Sequence, residues 1–326
     1  MAGVHEVAPV TEAGGSPSAK VRVLMETIGR AIMGKAYAIE QLVVGLVARG
    51  HVLIEDVPGV GKTALAKALA RCIGCQFRRI QFTPDLLPSD ITGLSMYDPA
   101  NRDFQFRPGP VFTQVLLADE VNRTTPRTQA ALLEAMNDFQ VTCDGKSYPL
   151  PRPFMVVATQ NPLEYAGTYP LPESQLDRFA LRIRMGYPSP DQEREMLSSH
   201  RSGEPVDSLP VVLQAQEVLE LSDAASKVRV DDAIAAYLVS IVDRTRREPH
   251  FAAGVSPRGS LSLYRTAQAR ALVRGRNYVI PDDVKELVIP VLAHRIVERG
   301  VRTSSERGSA VRVLQNILSE LPVPAG

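Results

Sequence analysis

The sequence predicts a parallel α/β sheet covered on both faces, followed by an all-α domain. Three observations carry this reading. Short apolar runs alternate with stretches of helical period through the first half of the chain. A Gly/Pro-rich loop separates the first of those runs from a helix. After the linker signal Pro188-Ser189-Pro190, only helical patterns follow. The expected division is a disordered tail over 1–19, an α/β core over 20–188 and an all-α domain over 189–326. The 326 residues match that count at roughly 150 residues per domain.

Taken in order, residues 1–19 are mostly small or polar, as in a disordered tail. From Lys20 the pattern turns helical; Ile39, Leu42, Val43, Leu46 and Val47 mark an amphipathic helix ending near Gly50. Val52-Leu53-Ile54 reads as a strand buried on both faces. Similar runs stand at Val115–Ala118, Phe154–Ala158 and Phe179–Ile183, with a weaker one at Phe77–Phe82. Helical stretches at 62–72 and 126–138 lie between them. Beyond Tyr187, helices are expected near 190–200, 211–222, 231–247, 257–274, 281–297 and 307–320.

Composition excludes several classes. With 37 basic and 36 acidic residues the net charge is +1, which excludes a strongly basic nucleic-acid coat. Three cysteines exclude a disulfide framework and suit a reducing compartment. No apolar run approaches the roughly 18 residues of a membrane span. The first basic residue is Lys20, so no secretory leader is expected and a cytoplasmic location is.

The chemistry begins at Asp56-Val57-Pro58-Gly59-Val60-Gly61-Lys62-Thr63-Ala64. It matches G-x-x-x-x-G-K-[ST] except that Asp56 replaces the first Gly. Gly59 and Gly61 let the backbone curl with its N–H groups inward, and the following helix turns its positive end to an anion. Lys62 supplies a cation for outer phosphates and Thr63 a hydroxyl for Mg²⁺. Gly59–Ala64 also fits the dinucleotide fingerprint G-x-G-x-x-[GA]. That fingerprint does not call for Lys-Thr, and the acidic residue it needs about 20 positions on is missing where Gln81 and Thr83 stand. A nucleoside triphosphate is the better reading.

The strand Val115–Ala118 ends in Asp119-Glu120. Strand ends are where open α/β sheets bind ligands. Asp119 is the candidate to hold Mg²⁺ and Glu120 the candidate base for the water attacking a γ-phosphate. Asn161, at the end of a later strand, can orient that water; an ordinary Asn-Pro turn is the plainer alternative.

These residues, in this order, resemble an AAA+ ATPase of the MoxR family. The resemblance rests on Asp119–Pro126 with Gln129–Met136, on Gly50–Glu55, on Asp85–Gly93, and on Gly167–Glu173 leading into Leu176-Asp177-Arg178-Phe179. It covers about residues 21–320. It implies a P-loop NTPase core with five parallel strands, inserted hairpins at 94–110 and 139–150, and a C-terminal all-α lid. It implies ATP hydrolysis to ADP in a homo-oligomeric, hexameric ring, acting chaperone-like on a protein client, often with a von Willebrand factor A domain partner. The 94–110 hairpin would project toward the ring pore. Arg178 becomes the arginine finger reaching a neighbour's γ-phosphate, and Met33-Gly34 flank the adenine. Arg258 becomes the second sensor. A local argument supports it: Ser256-Pro257 reads as an N-cap and N1, so Arg258 sits where a cation opposes the helix dipole unless an anion is near. Whether it serves its own nucleotide or a neighbour's is open, as is an interface role for Arg123.

Two rivals share the fold: a nucleic-acid motor and a relative of the metal-chelatase motor subunit. A non-catalytic nucleotide switch is opposed by the intact Asp119-Glu120 pair. Cys72-Ile73-Gly74-Cys75 lacks a second ligand pair, and the five histidines show no metal spacing, so both are read as structural.

Overall fold

The computed structural model describes residues 15–162, 167–199, 203–300 and 309–324. Most of the expected tail lies outside these residues. The chain opens with α1 (Pro17–Ala31) and α2 (Ala36–Val47), then β1 (Val52–Glu55) and α3 (Lys62–Cys72). Next come β2 (Phe77–Gln81), α4 (Pro88–Thr92), the strands β3 (Gly93–Asp98) and β4 (Asp103–Pro108), and β5 (Val115–Asp119). After α5 (Pro126–Asp138) follow β6 (Gln140–Cys143), β7 (Lys146–Pro149), β8 (Met155–Gln160), α6 (Glu173–Leu176) and β9 (Leu181–Ile183).

Strands β2, β5, β8, β1 and β9 form, in that order, one parallel sheet. The three central strands are wholly buried, which is why their sequences are unbroken apolar runs. Alternation divides their side chains between two cores. Val52, Ile54, Val115, Leu117, Met155 and Val157 face α1–α3, whereas Leu53, Leu116, Ala118, Val156 and Ala158 face α5 and the hairpins. Each fully buried Leu or Val contributes about 1.5–3 kcal/mol. Edge strand β2 exposes Arg78, Arg79 and Gln81, so its apolar signal in the sequence is weak.

Both expected inserts are hairpins. The β3–β4 pair runs in register from Gly93↔Pro108 to Asp98↔Asp103. The β6–β7 pair turns at Asp144 (φ +49°) and Gly145 (φ +76°), the double left-handed geometry of a tight two-residue hairpin.

The C-terminal region comprises α7 (Pro190–Ser199), α8 (Ala215–Ser226), α9 (Asp232–Arg247), β10 (Phe251–Ala253), α10 (Pro257–Val273), α11 (Pro281–Leu292), β11 (Val297–Glu298) and α12 (Ser309–Glu320). It is not purely helical: β10 and β11 pair antiparallel. Strands of three and two residues are too short to show a period-2 pattern, so the helices-only expectation missed them. The apolar faces of α8, α10 and α11 continue the core that covers one side of the sheet. Ion pairs Lys20–Glu217, Arg49–Asp223 and Arg274–Glu40 bridge the same seam.

Candidate functional site

The loop between β1 and α3 has the shape its glycines suggested. Gly59 (φ +83°) and Gly61 (φ +91°) both adopt left-handed backbone, where a side chain would be strained. Gly61 is the N-cap of α3 and has no side chain, so the first amides of the helix stay open to an anion. Lys62 Nζ folds back to donate to Asp56 O at 2.6 Å. Pro58, Gly59, Gly61, Lys62, Thr63 and Ala64 line a cavity of about 500 Å³ together with Asp119 and Glu120. Val60 does not: its side chain is buried in the core beneath the loop, which anchors the loop's middle.

Asp56, the departure from the general pattern, has a structural reason. One carboxylate oxygen accepts from Val57 N (2.9 Å), and the other from Met185 N and Gly186 N (2.7 Å each). It therefore pins the chain leaving β9 against the phosphate loop. Lys35 Nζ donates to the carbonyls of the same two residues, at 3.1 and 2.7 Å. Met33 and Gly34 stand just before Lys35 on this flank and do not line the cavity.

The two carboxylates are held by neighbours from both adjoining strands. Asp119 Oδ2 accepts a fork from Arg79, at 3.0 Å from Nε and 2.6 Å from Nη2. Thr159 Oγ1 donates to Asp119 Oδ1 at 2.5 Å and accepts the Glu120 N–H at 2.8 Å. Glu120 sits at φ +58°, a left-handed conformation costing a non-glycine residue about 1–2 kcal/mol. Its Oε2 accepts from Gln81 Nε2 at 2.7 Å and pairs with Arg123 Nε at 3.2 Å. Asn161 is buried directly after β8, at the same sheet edge but outside the cavity lining.

Sequence reasoning missed Arg79, Gln81 and Thr159 as site residues. Arg79 and Gln81 share one face of β2, and their alternation was a usable signal. Only the pairing of β2 with β5, which sets Gln81 opposite Asp119, gives it meaning. The donor set of the cavity, a buried carboxylate and a threonine hydroxyl, is hard oxygen and fits Mg²⁺, which takes few protein ligands when phosphates supply others.

The predicted arginines lie elsewhere. Arg178 and Arg258 line a second cavity, of about 400 Å³, with Arg49, Gly50, His51 and Arg265, and it shares no lining residue with the first. Gly50 and His51 precede β1, and Ala180 precedes β9; the phosphate loop follows β1. The two cavities thus open at opposite ends of the sheet, about 13 Å apart along the four residues of β1 at about 3.3 Å each. Arg178 Nη1 donates to Leu133 O at 3.0 Å, while its Nε is buried with no partner. Ser256 caps α10 as expected, accepting from Gly259 N, with Pro257 at N1 and Arg258 exposed in the first turn.

His51 is structural. Its Nε2 donates to Met136 O (2.9 Å) and its Nδ1 accepts from Val156 N (3.0 Å). Burial pushes its pKa down to about 4, so the ring is neutral. Burial likewise pushes the thiols of Cys72 and Cys75 up, to about 11 and about 12, which leaves them unreactive near neutral pH.

Comparison with known proteins agrees with this architecture. Residues 51–181 match the model of the ATPase family associated with various cellular activities, and residues 243–317 match an AAA lid domain. The chain is 48% identical over 300 residues to the uncharacterized protein YeaC of Bacillus subtilis, covering 92% of this chain and 93% of that one. It is 43% identical over 311 residues to Chaperone MoxR1 of Mycobacterium tuberculosis, covering 90% and 82% respectively. A crystal structure of a candidate ATPase from Cytophaga hutchinsonii superposes with a TM-score of 0.86 at 36% identity, covering 95% of this chain and 96% of that one.

Proposed function

The chain belongs to the MoxR family of AAA+ ATPases, and on that premise we propose that it hydrolyses ATP to ADP and phosphate at a site shared between two subunits of a ring. The observation that carries this is the separation of the two cavities. The phosphate loop and both carboxylates open at the carboxyl end of the sheet, and both arginines open at its amino end. A subunit cannot bring its own Arg178 to its own phosphates without breaking the sheet between them. A neighbour's Arg178 and Arg258 can complete the site, so Arg258 acts on the neighbouring nucleotide.

The parts then have distinct tasks. The amides at the start of α3 and the Lys62 ammonium hold the β- and γ-phosphates. Thr63 and Asp119 would hold Mg²⁺, which would supply positive charge to the phosphate oxygens. Glu120 takes the proton from the attacking water, and Asn161 helps to orient that water. Thr159 and Gln81 hold Glu120 turned toward the cavity. Arg178 and Arg258, from the neighbour, stabilise charge that builds up in the transition state. Met33-Gly34, on the flank of the loop, serve the adenine. The work drives chaperone-like remodelling of a protein client.

Glu120→Gln tests the reading. It keeps the hydrogen bond from Gln81 in reach but removes the base. ATP binding should persist while turnover falls about 10²–10⁴-fold. Normal turnover in that variant would overturn the assignment.

A further inference from the structure

One buried guanidinium grips both arginine-bearing segments. Arg295, in the short 3-10 turn that follows α11, has a side chain 1% exposed. Its Nε donates to Asp177 Oδ1 at 2.8 Å. Its Nη2 donates to Phe179 O at 2.7 Å, to Asp177 O at 3.3 Å and to Ser262 Oγ at 3.0 Å. Asp177 and Phe179 are the residues on either side of Arg178, and Ser262 stands one helical turn beyond Arg258 on α10. Asp177 closes the circuit: its carboxylate accepts from Ser256 Oγ, at 3.1 Å to the nearer oxygen, and Ser256 is the N-cap two residues before Arg258. Gly259 makes room for this, since a Cβ there would stand 3.0 Å from Arg295 Cδ. His294 adds a bond from Nε2 to Phe179 O at 3.0 Å.

We propose that Arg295 and Asp177 are positioning residues that hold Arg178 and Arg258 as one rigid unit aimed at the neighbouring subunit's nucleotide; this rests on the shared-site reading above. The arrangement is more than packing. A planar fork can bind several acceptors at fixed angles, so it sets the direction in which Arg178 leaves its backbone. A displacement of about 1 Å at a transition-state contact costs on the order of 100-fold in rate. Arg295 also ties the core segment before β9 to the lid helix α10. A pull on the neighbour's phosphates therefore reaches the lid through the same bonds.

The test uses the full chain with Asp177→Asn and, in parallel, Arg295→Lys, which keeps the charge and loses the fork. Each variant should bind fluorescent ATP with a Kd within about threefold of the parent, because its own phosphate loop lies at the other end of the sheet. The kcat should fall about tenfold or more with KM little changed. Each is then mixed with Glu120→Gln protein. A subunit with an intact base beside a neighbour with an intact arginine pair makes a complete site, so the mixture should exceed the summed activities of its parts. The control mixes Arg178→Ala with Glu120→Gln. If the control gains nothing, the shared-site reading fails and takes this inference with it. If the control gains but neither variant loses kcat, or their loss is not rescued by mixing, then Arg295 and Asp177 serve only their own subunit and the inference alone is overturned.

Discussion

The two ends of the central sheet hold charge in opposite ways. At the carboxyl end, each candidate carboxylate is gripped by its own chain: Asp119 by Arg79 and Thr159, Glu120 by Gln81 and Arg123. At the amino end, Arg258 and Arg265 are exposed and no carboxylate of the described residues pairs with them, while Arg178 keeps an unsatisfied buried Nε. Support there goes to the backbone around the arginines, and the Arg178 head is held by a neutral carbonyl, Leu133 O, at 3.0 Å. A site that completes itself fixes its charges internally. On the proposed shared-site reading, the base of each cation is fixed and its head is left without a counter-charge from its own chain, to meet an anion elsewhere.

The contrast can be broken most sharply by one mutation at each end. Arg178→Ala should lower kcat about 10³-fold or more and leave nucleotide Kd nearly unchanged. Lys62→Ala should instead abolish measurable nucleotide binding. Fluorescent-nucleotide titration beside a phosphate-release assay checks both; a large Kd change in Arg178→Ala would erase the division between the ends.

Thr159→Val tests the internal grip at the carboxyl end. It keeps the shape and removes the hydroxyl shared by Asp119 and the Glu120 amide. The kcat should fall about 10–100-fold with nucleotide Kd preserved, as for the partners of other catalytic groups. Unchanged kcat would mean that strand geometry alone directs Glu120.

Asp56→Gly restores the commoner loop residue but strips acceptors from three backbone amides. Chemical denaturation should report a loss of about 1–3 kcal/mol. A neutral result would show that the clamp on residues 185–186 is redundant with Lys35.

A further effect on stability is expected in mild acid. His51 and His294 are both buried at the amino end, and burial lowers both pKa values, that of His51 to about 4. Below pH 6.5 the unfolded chain binds protons that the folded chain refuses. The stability is therefore complete above about pH 6.5 and is lost as pH falls toward 4. His51→Gln should flatten part of that decline, read as Tm against pH; an identical slope would remove His51 from the account.

Much of the fold was legible because its signals are local. The unbroken runs of β1, β5 and β8 announced a sheet buried on both faces, and the expected insert at 139–150 is a hairpin that turns at Asp144-Gly145. The β10–β11 pair was not legible, since it joins residues far apart through strands too short to carry a pattern. In the sequence, Asp56 is only a departure from the general loop pattern. In the structure it is a tie to residues 129 and 130 positions away.

The sequence by itself determined the local shapes of the candidate groups: the left-handed loop glycines, the helix start at Lys62 and Thr63, the strand that ends at Asp119 before Glu120, and the capped start of α10. Those properties follow from backbone conformation, helix ends and strand ends, which a few neighbouring residues dictate. Only the tertiary structure decided where the groups stand relative to one another. Strand order set Arg79 and Gln81 beside residues some 40 positions on. The docking of the lid brought Arg295 onto Asp177, 118 positions earlier, and sent the arginines to the end of the sheet away from the phosphate loop. Such pairings come from how buried faces close over one sheet, a property of the whole chain that no short stretch of it encodes.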